Sequence, residues 1–375
     1  MLRLDFKKTI GFLHLWLGLI SGLVVFILGI TGAIYAFSDE LKEVFYKDRL
    51  HVAIPANKEK LPFETIVTIA ETALGKDHKI SRAELPNTPG KTYMFRALKL
   101  NKNGIGYWNY YKYYYKVYIN PYNGQVVKLE NTKKEFFNVI LAAHMNLLLG
   151  DKVGHQIVRY AVICFVLLLL SGIVLWWPKN LKAAKNSLTI KVKAKFKRLN
   201  YDLHNVLGFY AAMILLVISL TGLAWSFELT SEKKSTLYSD TTLTAPKTKH
   251  GAILAQTNNL SPTASYFLYN FPAQKSGTVN ITAYMSDNHL YEKTQYKYDQ
   301  FTGKLLQKGE SFENLKPLNK LKALNFDLHT GSAIGFPGKV LAFLASLIAA
   351  SLPITGLLFY LFKKKPLKKS NRPAH

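Results

Sequence analysis

Residues 10–37 read IGFLHLWLGLISGLVVFILGITGAIYAF and carry no charged side chain. A helix of about 20 apolar residues is enough to cross the hydrocarbon core of a bilayer. The run is longer than the apolar core of a secretion signal, which has about 7–15 residues, and no clear small-x-small cleavage site follows it. We therefore expect this stretch to be retained as a membrane-spanning helix.

Three further apolar runs follow, at residues 157–177, 203–227 and 340–362. Hydrophobic residues make up 49% of the 375 and charged residues 19%, so long polar segments must lie between the runs. This alternation indicates a membrane protein with four spans rather than a protein with one soluble core.

The basic residues are concentrated on one side of this four-span arrangement. Segments 1–8, 178–202 and 363–375 hold 17 Lys or Arg against two acids, Asp5 and Asp202, within a net charge of +26. Short loops rich in Lys and Arg stay in the cytoplasm, so we expect both chain termini there. Such loops face phospholipid headgroups, and we expect a lipid membrane and no nucleic acid as the partner.

The first outer segment, residues 38–135, has the length of a small domain. A helix is predicted at residues 62–75, because proline favours a helix start and glycine a helix end. Strand patterns follow at residues 79–85, 92–98 and 113–119. The last strand runs into residues 120–124, NPYNG, a hairpin signal. These patterns predict a helix followed by an antiparallel sheet.

The second outer segment, residues 228–325, repeats this order in a more diverged form. Its residues 299–303, DQFTG, match residues 120–124 in kind. The predicted helix and strands lie at residues 250–258, 264–270, 279–284 and 289–297. We therefore expect a tandem duplication, in which each half contributes a span, an outer domain and a second span.

The predicted fold is a membrane α+β protein, with a bundle of four transmembrane helices from a tandem duplication and two α+β outer domains. The predicted segments, in chain order, are the N-terminus with the first span (1–37), the first outer domain (38–135), an outer helix with the second span (136–177), a basic cytoplasmic loop (178–202), the third span (203–227), the second outer domain (228–325), the fourth span with its outer lead-in (326–362) and a basic cytoplasmic tail (363–375).

Four histidines stand in a repeated pattern in or beside the spans. His14 and His204 each lie four residues before a glycine and seventeen residues before a Thr–Gly pair. His144 and His329 each lie six residues before a glycine, just ahead of an apolar run. Ionisable side chains in a membrane are costly and usually functional, so the repeated positions predict a shared function.

The sequence narrows the cofactor that these histidines could bind. Cys164 is the only cysteine, so neither an internal disulfide nor the Cys-x-x-Cys-His motif of covalent haem is possible. The chain also has no cysteine cluster for iron and sulfur and no glycine-rich nucleotide motif. Zinc is disfavoured because the histidines lack Cys or carboxylate partners at short spacing. We expect noncovalent haem b, in two copies.

The topology predicts which histidines act together. His14 and His204 lie near the cytoplasmic ends of their spans and are the expected axial ligands of an inner haem. His144 and His329 precede their spans on the outer side and are the expected ligands of an outer haem. An offset of seventeen residues is about 26 Å of helix, nearly the apolar thickness of a bilayer, so two haems would form a relay. His155, which lies nearer the second span, is an alternative outer ligand.

Two further features are candidate binding sites. Arg159, one helical turn after His155, could neutralise a haem propionate or could anchor its span at the outer interface. Residues 107–122 contain eight tyrosines, which suit either a tyrosine-rich strand or an aromatic surface for an anionic iron chelate. The candidate chelate-binding residues are Lys112, Tyr113, Tyr114, Tyr115 and Lys116.

Over nearly its full length, the chain resembles the PepSY-associated transmembrane family, which includes inner-membrane ferric-siderophore reductases and iron-regulated membrane proteins. The resemblance rests on Leu13-His14 with Gly18 and Thr31-Gly32, His144 with Leu147 to Gly150, Ser171-Gly172 before Trp176-Trp177-Pro178, Leu203-His204 with Gly208, and Leu328 to Gly331 with Gly335. Residues 120–124 and 299–303 look like the closing hairpin of PepSY domains, although Asp usually replaces Asn120. The resemblance implies PepSY-like outer domains in the periplasm and a place in the bacterial inner membrane.

The resemblance also implies a function. It predicts a di-haem b oxidoreductase that passes electrons across the inner membrane and reduces a ferric chelate, or siderophore, so that iron is released in the periplasm. Larger family members carry a fused flavin reductase, whereas this chain ends in a basic tail, so the expected electron donor is a separate cytoplasmic protein or the quinone pool. The alternatives are a non-catalytic component of iron uptake or transport and a PepSY-type regulator of a peptidase.

Overall fold

The computed structural model describes residues 6–56, 59–178, 180, 184–185, 187–230, 237–242 and 248–364. Within these residues, four helices are long and apolar enough to cross a membrane: Phe6–Ala36, Asp151–Trp176, Phe196–Ser226 and Ser332–Phe362, here called spans 1 to 4. They confirm the predicted four-helix membrane protein. Parts of the predicted basic segments, namely residues 1–5, much of the loop between 179 and 186, and residues 365–375, lie outside the described residues.

Spans 1 and 4 pack closely because small residues meet at their interface. A Cβ atom at Gly29 would lie 2.7 Å from the backbone of Ala350, and one at Gly22 would lie 3.2 Å from Pro353. Helices in lipid associate through such close packing, since lipid tails are as apolar as the side chains. All four spans contribute to a buried apolar cluster of Val25, Phe165, Leu169, Ala211, Leu215, Ala345 and Ala349.

Spans 2 and 3 each contain a turn of π-helix near one end. The turns are Asp151–His155, which begins span 2, and Leu203–Leu207, which follows the first two turns of span 3. Such turns shift the direction of the side chains that follow and often occur at functional sites. The turn in span 3 contains His204, and the turn in span 2 contains His155.

The two outer segments together form one eight-stranded antiparallel sheet. Strands β1 to β8 are Ile80–Pro86, Tyr93–Leu100, Tyr111–Ile119, Val126–Asn131, Tyr266–Asn270, Val279–Tyr284, Lys293–Tyr298 and Leu305–Lys308. Each half supplies a four-stranded meander, and the halves join where β1 pairs with β5. The outer domains that we predicted as separate units therefore share a sheet, because pairing β1 with β5 covers an edge of each half that would otherwise expose unpaired backbone groups.

Two helices cover the same face of this sheet. They are Phe63–Leu74 from the first half and His250–Leu260 from the second, close to the predicted bounds. Their apolar residues, including Ile66 and Ile253, share one core with alternate residues of the strands. The intervening residues of each strand therefore point to the opposite face of the sheet, away from this core.

Equivalent turns close the β3–β4 and β7–β8 hairpins. The Gly124 N–H donates to the Asn120 carbonyl at 2.9 Å, and the Gly303 N–H donates to the Asp299 carbonyl at 3.0 Å. Both glycines have positive φ, 74° and 71°, where other residues lose about 1–2 kcal/mol. The side chains of Asn120 and Asp299 also accept backbone N–H groups within their turns. The predicted match between these turns is confirmed.

Short elements connect the sheet with the spans. Arg49 forms an ion pair with Glu130 on β4, and the Tyr46 hydroxyl donates to Glu135 at 2.6 Å. Other helices are Ser38–Phe45, Lys47–Leu50, Tyr107–Tyr110, Phe136–Asn146, Pro317–Ala323 and Asn325–Thr330. Arg49 and Tyr46 follow span 1 closely in the chain, so these contacts fix the first half of the sheet against the end of the bundle.

Candidate functional site: two histidine pairs

The structure brings His14 and His204 together at one end of the bundle. Their ring centres are 6.3 Å apart and the ring planes meet at 86°. His14 lies near the start of span 1, and His204 lies in the π turn of span 3. This inner pair joins one histidine from each half of the chain.

His144 and His329 form a second pair at the other end. Their ring centres are 6.2 Å apart and the planes meet at 67°. His144 ends the helix Phe136–Asn146 and His329 lies in Asn325–Thr330, each ahead of a span. The pKa of His144 is lowered to about 4, chiefly by burial and to a smaller extent by the neighbouring His329. Its ring is therefore neutral at physiological pH.

A metal ion held between two opposed imidazoles sets a characteristic ring separation. With metal–nitrogen bonds of about 2.0–2.1 Å and each ring centre about 1 Å behind its nitrogen, the two centres lie about 6 Å apart. The inner and outer pairs, at 6.3 and 6.2 Å, both match this spacing. The ring spacing of each pair is therefore compatible with an iron atom bound by both histidines.

Each of the four histidines contacts its own Ser–Gly or Thr–Gly dipeptide on one of the spans. Its Nδ1 atom lies within hydrogen-bond distance of a Ser or Thr hydroxyl, and the residue after that hydroxyl is glycine. The pairs are His14 with Ser171 at 2.8 Å, His144 with Thr31 at 3.0 Å, His204 with Thr355 at 2.9 Å and His329 with Thr221 at 3.1 Å. The recurrence of one arrangement in four places indicates a common role.

The hydroxyl partners determine which ring nitrogen carries the proton. Each hydroxyl already donates its single hydrogen to the carbonyl four residues earlier, as Thr31 does to Ile27 at 2.7 Å. It can only accept from the histidine, so Nδ1 is the protonated nitrogen. His329 Nδ1 also lies 2.9 Å from the Ile218 carbonyl, which has no hydrogen to donate. Nε2 is therefore left with a free lone pair, the form that a metal ligand requires.

The glycine of each dipeptide makes room for the histidine ring. A Cβ atom at Gly32 would lie 3.2 Å from His144, and one at Gly222 would lie 3.1 Å from His329. The corresponding distances at Gly172 and Gly356, beside His14 and His204, are 3.5 and 3.3 Å. An added Cβ would shift the ring by a few tenths of an ångström at Gly32, Gly222 and Gly356, and would make an ordinary contact at Gly172.

A cavity of about 710 Å³ surrounds the inner pair. This volume lies in the range of about 300–1,000 Å³ that is typical of pockets for small molecules and cofactors. The walls are mainly apolar, and Gly11, Gly18, Gly172, Gly208 and Gly356 contribute flat surface. Lys7 and Lys8 lie at one end and could pair with carboxylates of a bound group. The cavity thus suits a flat, apolar macrocycle with acidic side chains.

The glycines of span 1 have two different roles. Gly11, Gly18, Gly22 and Gly29 recur at helical spacings, a pattern that by itself predicts one face open to a porphyrin. Gly11 and Gly18 do line the cavity, but Gly29 packs on the backbone of span 4. The spacing alone could not separate the two roles, because glycine serves both helix contact and cofactor contact.

His155 and Arg159 lie apart from the outer pair. His155 is within hydrogen-bond distance of the Ser226 hydroxyl, at 3.0 Å, and it has no ring contact with another histidine among the described residues. Arg159 Nε donates to the same hydroxyl at 2.9 Å, and its guanidinium lies 4.6 Å from the Phe227 ring centre. The two residues therefore tie span 2 to the end of span 3, and His144, not His155, faces His329.

The five predicted chelate-binding residues on β3 point to both faces of the sheet. Tyr113 and Tyr115 pack against the sheet core and lie 4.9 and 4.7 Å from the His78 ring. Tyr114 and Lys116 point to the opposite face, with the exposed Lys112. The five residues do not form one surface, since successive strand residues face opposite sides.

Sequence reasoning identified the histidine pairs but missed the partners of their Nδ1 atoms. Thr355–Gly356 was not singled out, and Ser171–Gly172 had no assigned role. A partial signal was present, because every span contains a Ser–Gly or Thr–Gly dipeptide in its apolar stretch, and span 1 contains two, Ser21–Gly22 and Thr31–Gly32. The recurrence indicates candidate partners for the four histidines, although it does not by itself choose between the two dipeptides of span 1.

Comparison with known protein families identifies the family of the chain. The family model described as the PepSY-associated TM region matches residues 12–363, which include both histidine pairs and all eight strands. Among curated proteins, no match was found. Because the matched range covers nearly the whole length, the chain belongs to the PepSY-associated transmembrane family.

Proposed function

We propose that this chain is a di-haem b oxidoreductase of a bacterial inner membrane, which passes electrons across the membrane and reduces a ferric chelate, or siderophore, in the periplasm. The observation that carries the proposal is the pair of bis-histidine arrangements, with ring centres 6.3 and 6.2 Å apart and Nε2 free on each ring. Membership of a family of membrane proteins linked to iron supports the choice of substrate.

Haem, when bound, supplies one-electron chemistry. His14 and His204 hold the inner group, and His144 and His329 hold the outer one. The hydroxyls of the Ser–Gly and Thr–Gly dipeptides keep each ring in a fixed direction and increase the basicity of Nε2. The apolar cluster between the two pairs excludes water and so helps set the reduction potentials.

The reduction needs no acid or base from the protein. One electron converts ferric to ferrous iron, which oxygen-rich chelators hold less tightly, so the metal is released. The basic segments favour an orientation with both termini in the cytoplasm and the sheet in the periplasm. The electron donor in this proposal is a separate cytoplasmic protein or the quinone pool. The matched halves of the sheet support an origin by tandem duplication.

A visible spectrum of the protein purified after haem-replete expression tests the cofactor. We expect about two haems per chain, with the reduced spectrum of bis-histidine haem b. His14→Ala should remove the inner haem and His329→Ala the outer haem, leaving one each. His155→Ala is the matched control and should retain both. Colourless wild-type protein would refute the proposal, and loss of haem in His155→Ala would reassign the outer ligand.

Anaerobic stopped-flow mixing tests the reaction. The dithionite-reduced protein, freed of excess reductant, is mixed with a ferric hydroxamate chelate and a ferrous-iron indicator. We expect the haems to reoxidise and one ferrous iron to appear per electron released. The reaction should be slower in His329→Ala than in the wild-type protein, and the difference should exceed the variation between wild-type preparations. Haems that stay reduced with every ferric chelate tried would refute the reductase role while leaving the haem sites intact.

A further inference from the structure

Eight residues form one continuous row across the face of the sheet opposite its two helices. Residues directly opposite each other on antiparallel strands point to the same face. From β4 to β8 the row runs Glu130, Lys116, Arg96, Arg82, Asn270, Asn280, Lys297 and Gln307. Their chain neighbours, such as Ala83 and Phe95, belong to the core on the helix side. The row therefore faces away from that core.

Three adjacent members of this row carry like charges. Lys116, Arg96 and Arg82 face one another on β3, β2 and β1, and we call them the basic row. Like charges directly opposite each other destabilise a sheet. Glu130, at the end of the row, is paired with Arg49. Within the described part of the chain, no member of the basic row forms an ion pair. The nearby carboxylates of Glu84 and Glu135 offset part of the repulsion.

The two arginines are also partly removed from water. Arg82 Nε donates to the Asn270 side-chain carbonyl at 2.8 Å, whereas the buried Arg96 Nε has no hydrogen-bond partner among the described residues. Burial first, and then the charge of Arg96, lower the pKa of Arg82, although Glu84 acts in the opposite direction. A buried donor without a partner is unfavourable, and an acceptor that reaches the arginines from the cavity side would offset part of this cost.

A cavity of about 700 Å³ lies beside the basic row, in the second half of the sheet. Arg82 and Lys297 line it from two sides, and the amides of Asn270 and Asn280 lie between them in the row. A guanidinium can hold two oxygens of a carboxylate or phosphate, and lysine and amide groups add further donors. Arg96 is next to Arg82 and strengthens the positive potential.

We propose that this cavity binds a small oxyanion, through carboxylate or phosphate oxygens, between Arg82 and Lys297. The same chemistry could come from a soluble polyanion or from the headgroup of an anionic lipid. The site is separate from both histidine pairs, and its occupation does not depend on the proposed redox function. Arg82 and Lys297 contact the ligand, and Arg96 is a positioning residue that acts through the local charge.

Calorimetric titration of the full-length protein in neutral detergent tests the soluble source, with citrate and inorganic phosphate as probes. We expect saturable binding of at least one probe, weakened by about tenfold or more in Arg82→Gln and in Lys297→Gln. Arg96→Gln should weaken binding by a smaller factor. The matched control is Lys99→Gln, which removes an exposed charge from the same strand as Arg96, with its side chain on the other face of the sheet, and should leave binding unchanged.

Nanodiscs test the lipid source. We compare thermal midpoints in phosphatidylcholine with and without phosphatidylglycerol. A rise with phosphatidylglycerol that disappears in Arg82→Gln supports the oxyanion site and identifies a headgroup as its ligand. Without any anion, Arg96→Gln should unfold at the same temperature as wild type or higher, because a like-charge contact is removed.

Several results would overturn the proposal. One is the lack of response to citrate, phosphate and phosphatidylglycerol by the wild-type protein. Another is equal weakening of binding in Lys99→Gln and Arg82→Gln, which would indicate diffuse attraction by net charge. A third is unchanged binding in an Arg82→Gln variant that is folded. Since the haem spectrum should be the same in all these variants, the result is independent of the test of the redox function.

Discussion

Replacing Thr31 by valine removes the hydroxyl that orients His144 while nearly keeping the size of the side chain. Thr31 is 6% exposed, and its hydroxyl accepts the hydrogen of His144 Nδ1 at 3.0 Å. A buried donor that loses its partner costs about 1–3 kcal/mol. At about 1.4 kcal/mol per factor of ten, this weakens ligand binding through His144 by about 5- to 150-fold.

Two considerations narrow this range. Loss of the outer partner of a metal ligand typically weakens metal binding by about 10- to 100-fold. The Leu28 carbonyl also forms a hydrogen bond with the His144 ring, so part of the interaction persists in the variant. We therefore expect Thr31→Val to weaken haem binding at the outer pair by about tenfold, and to leave the inner pair unchanged.

The assay is a haem-transfer measurement with apomyoglobin as the acceptor, in which the proposed inner and outer haems should leave at separate rates. Thr31→Ser restores the hydroxyl and should recover the wild-type rate. Ser21→Ala is a matched control, because Ser21 lies on the same span, is 2% exposed and donates to the Leu17 carbonyl without contacting a histidine. Equal haem loss from Thr31→Val and Ser21→Ala, or none from either, would refute the reasoning.

Three further changes have expected outcomes. Gly222→Ala places a Cβ atom 3.1 Å from His329 Cε1, so the ring must shift by a few tenths of an ångström and haem binding at the outer pair should weaken, as measured by the haem-to-protein ratio. Arg159→Gln removes the guanidinium that binds the end of span 3, and should lower stability by about 1–3 kcal/mol while both haems remain in the spectrum. Glu130→Gln breaks a nearly buried ion pair with Arg49 and should cost about 3–5 kcal/mol, seen as a lower thermal midpoint.

Two of these changes have a matched control, and the third has an outcome that would contradict it. Leu220→Ala is the control for Gly222→Ala and should keep both haems, because Leu220 lies on the same span and is 53% exposed. Loss of one haem from Arg159→Gln would contradict the structural role and favour a propionate contact instead. Glu313→Gln changes an exposed carboxylate near the sheet, and a midpoint drop equal to that of Glu130→Gln would count against the buried ion pair.

The elements that sequence predicted well are those determined by local chemistry. Apolar length determined the four spans, and the residues at 62 and 75 determined the ends of the helix Phe63–Leu74. Positive φ at Gly124 and Gly303 explains why the two turn signals were readable. The pairing of β1 with β5 joins residues such as Ala83 and Tyr269 from different halves, and no local pattern specifies that partner.

The candidate site also has features that the sequence predicted and features that it did not. Duplication and topology predicted the histidine pairs, because a repeated motif places equivalent residues at equal depth. The hydroxyl partners were missed because a Ser or Thr in a helix usually bonds the carbonyl four residues earlier, as Ser171 and Thr355 do. Their second contacts join residues 157 and 151 positions away, so no local pattern predicts them, and only the recurrence of the dipeptides in the four spans indicates them.

The hydrogen bonds to the histidines show how the two halves depend on each other. In the first half, Ser171 orients His14 and Thr31 orients His144; the second half repeats this with its own hydroxyls. Each half therefore orients its own two rings, yet each pair takes one ring from each half. A metal between the rings would join the halves at both ends of the bundle, as β1–β5 pairing joins them in the sheet. The offset of seventeen residues from His14 to Thr31 thus sets how far apart the two sites lie, because one span serves both.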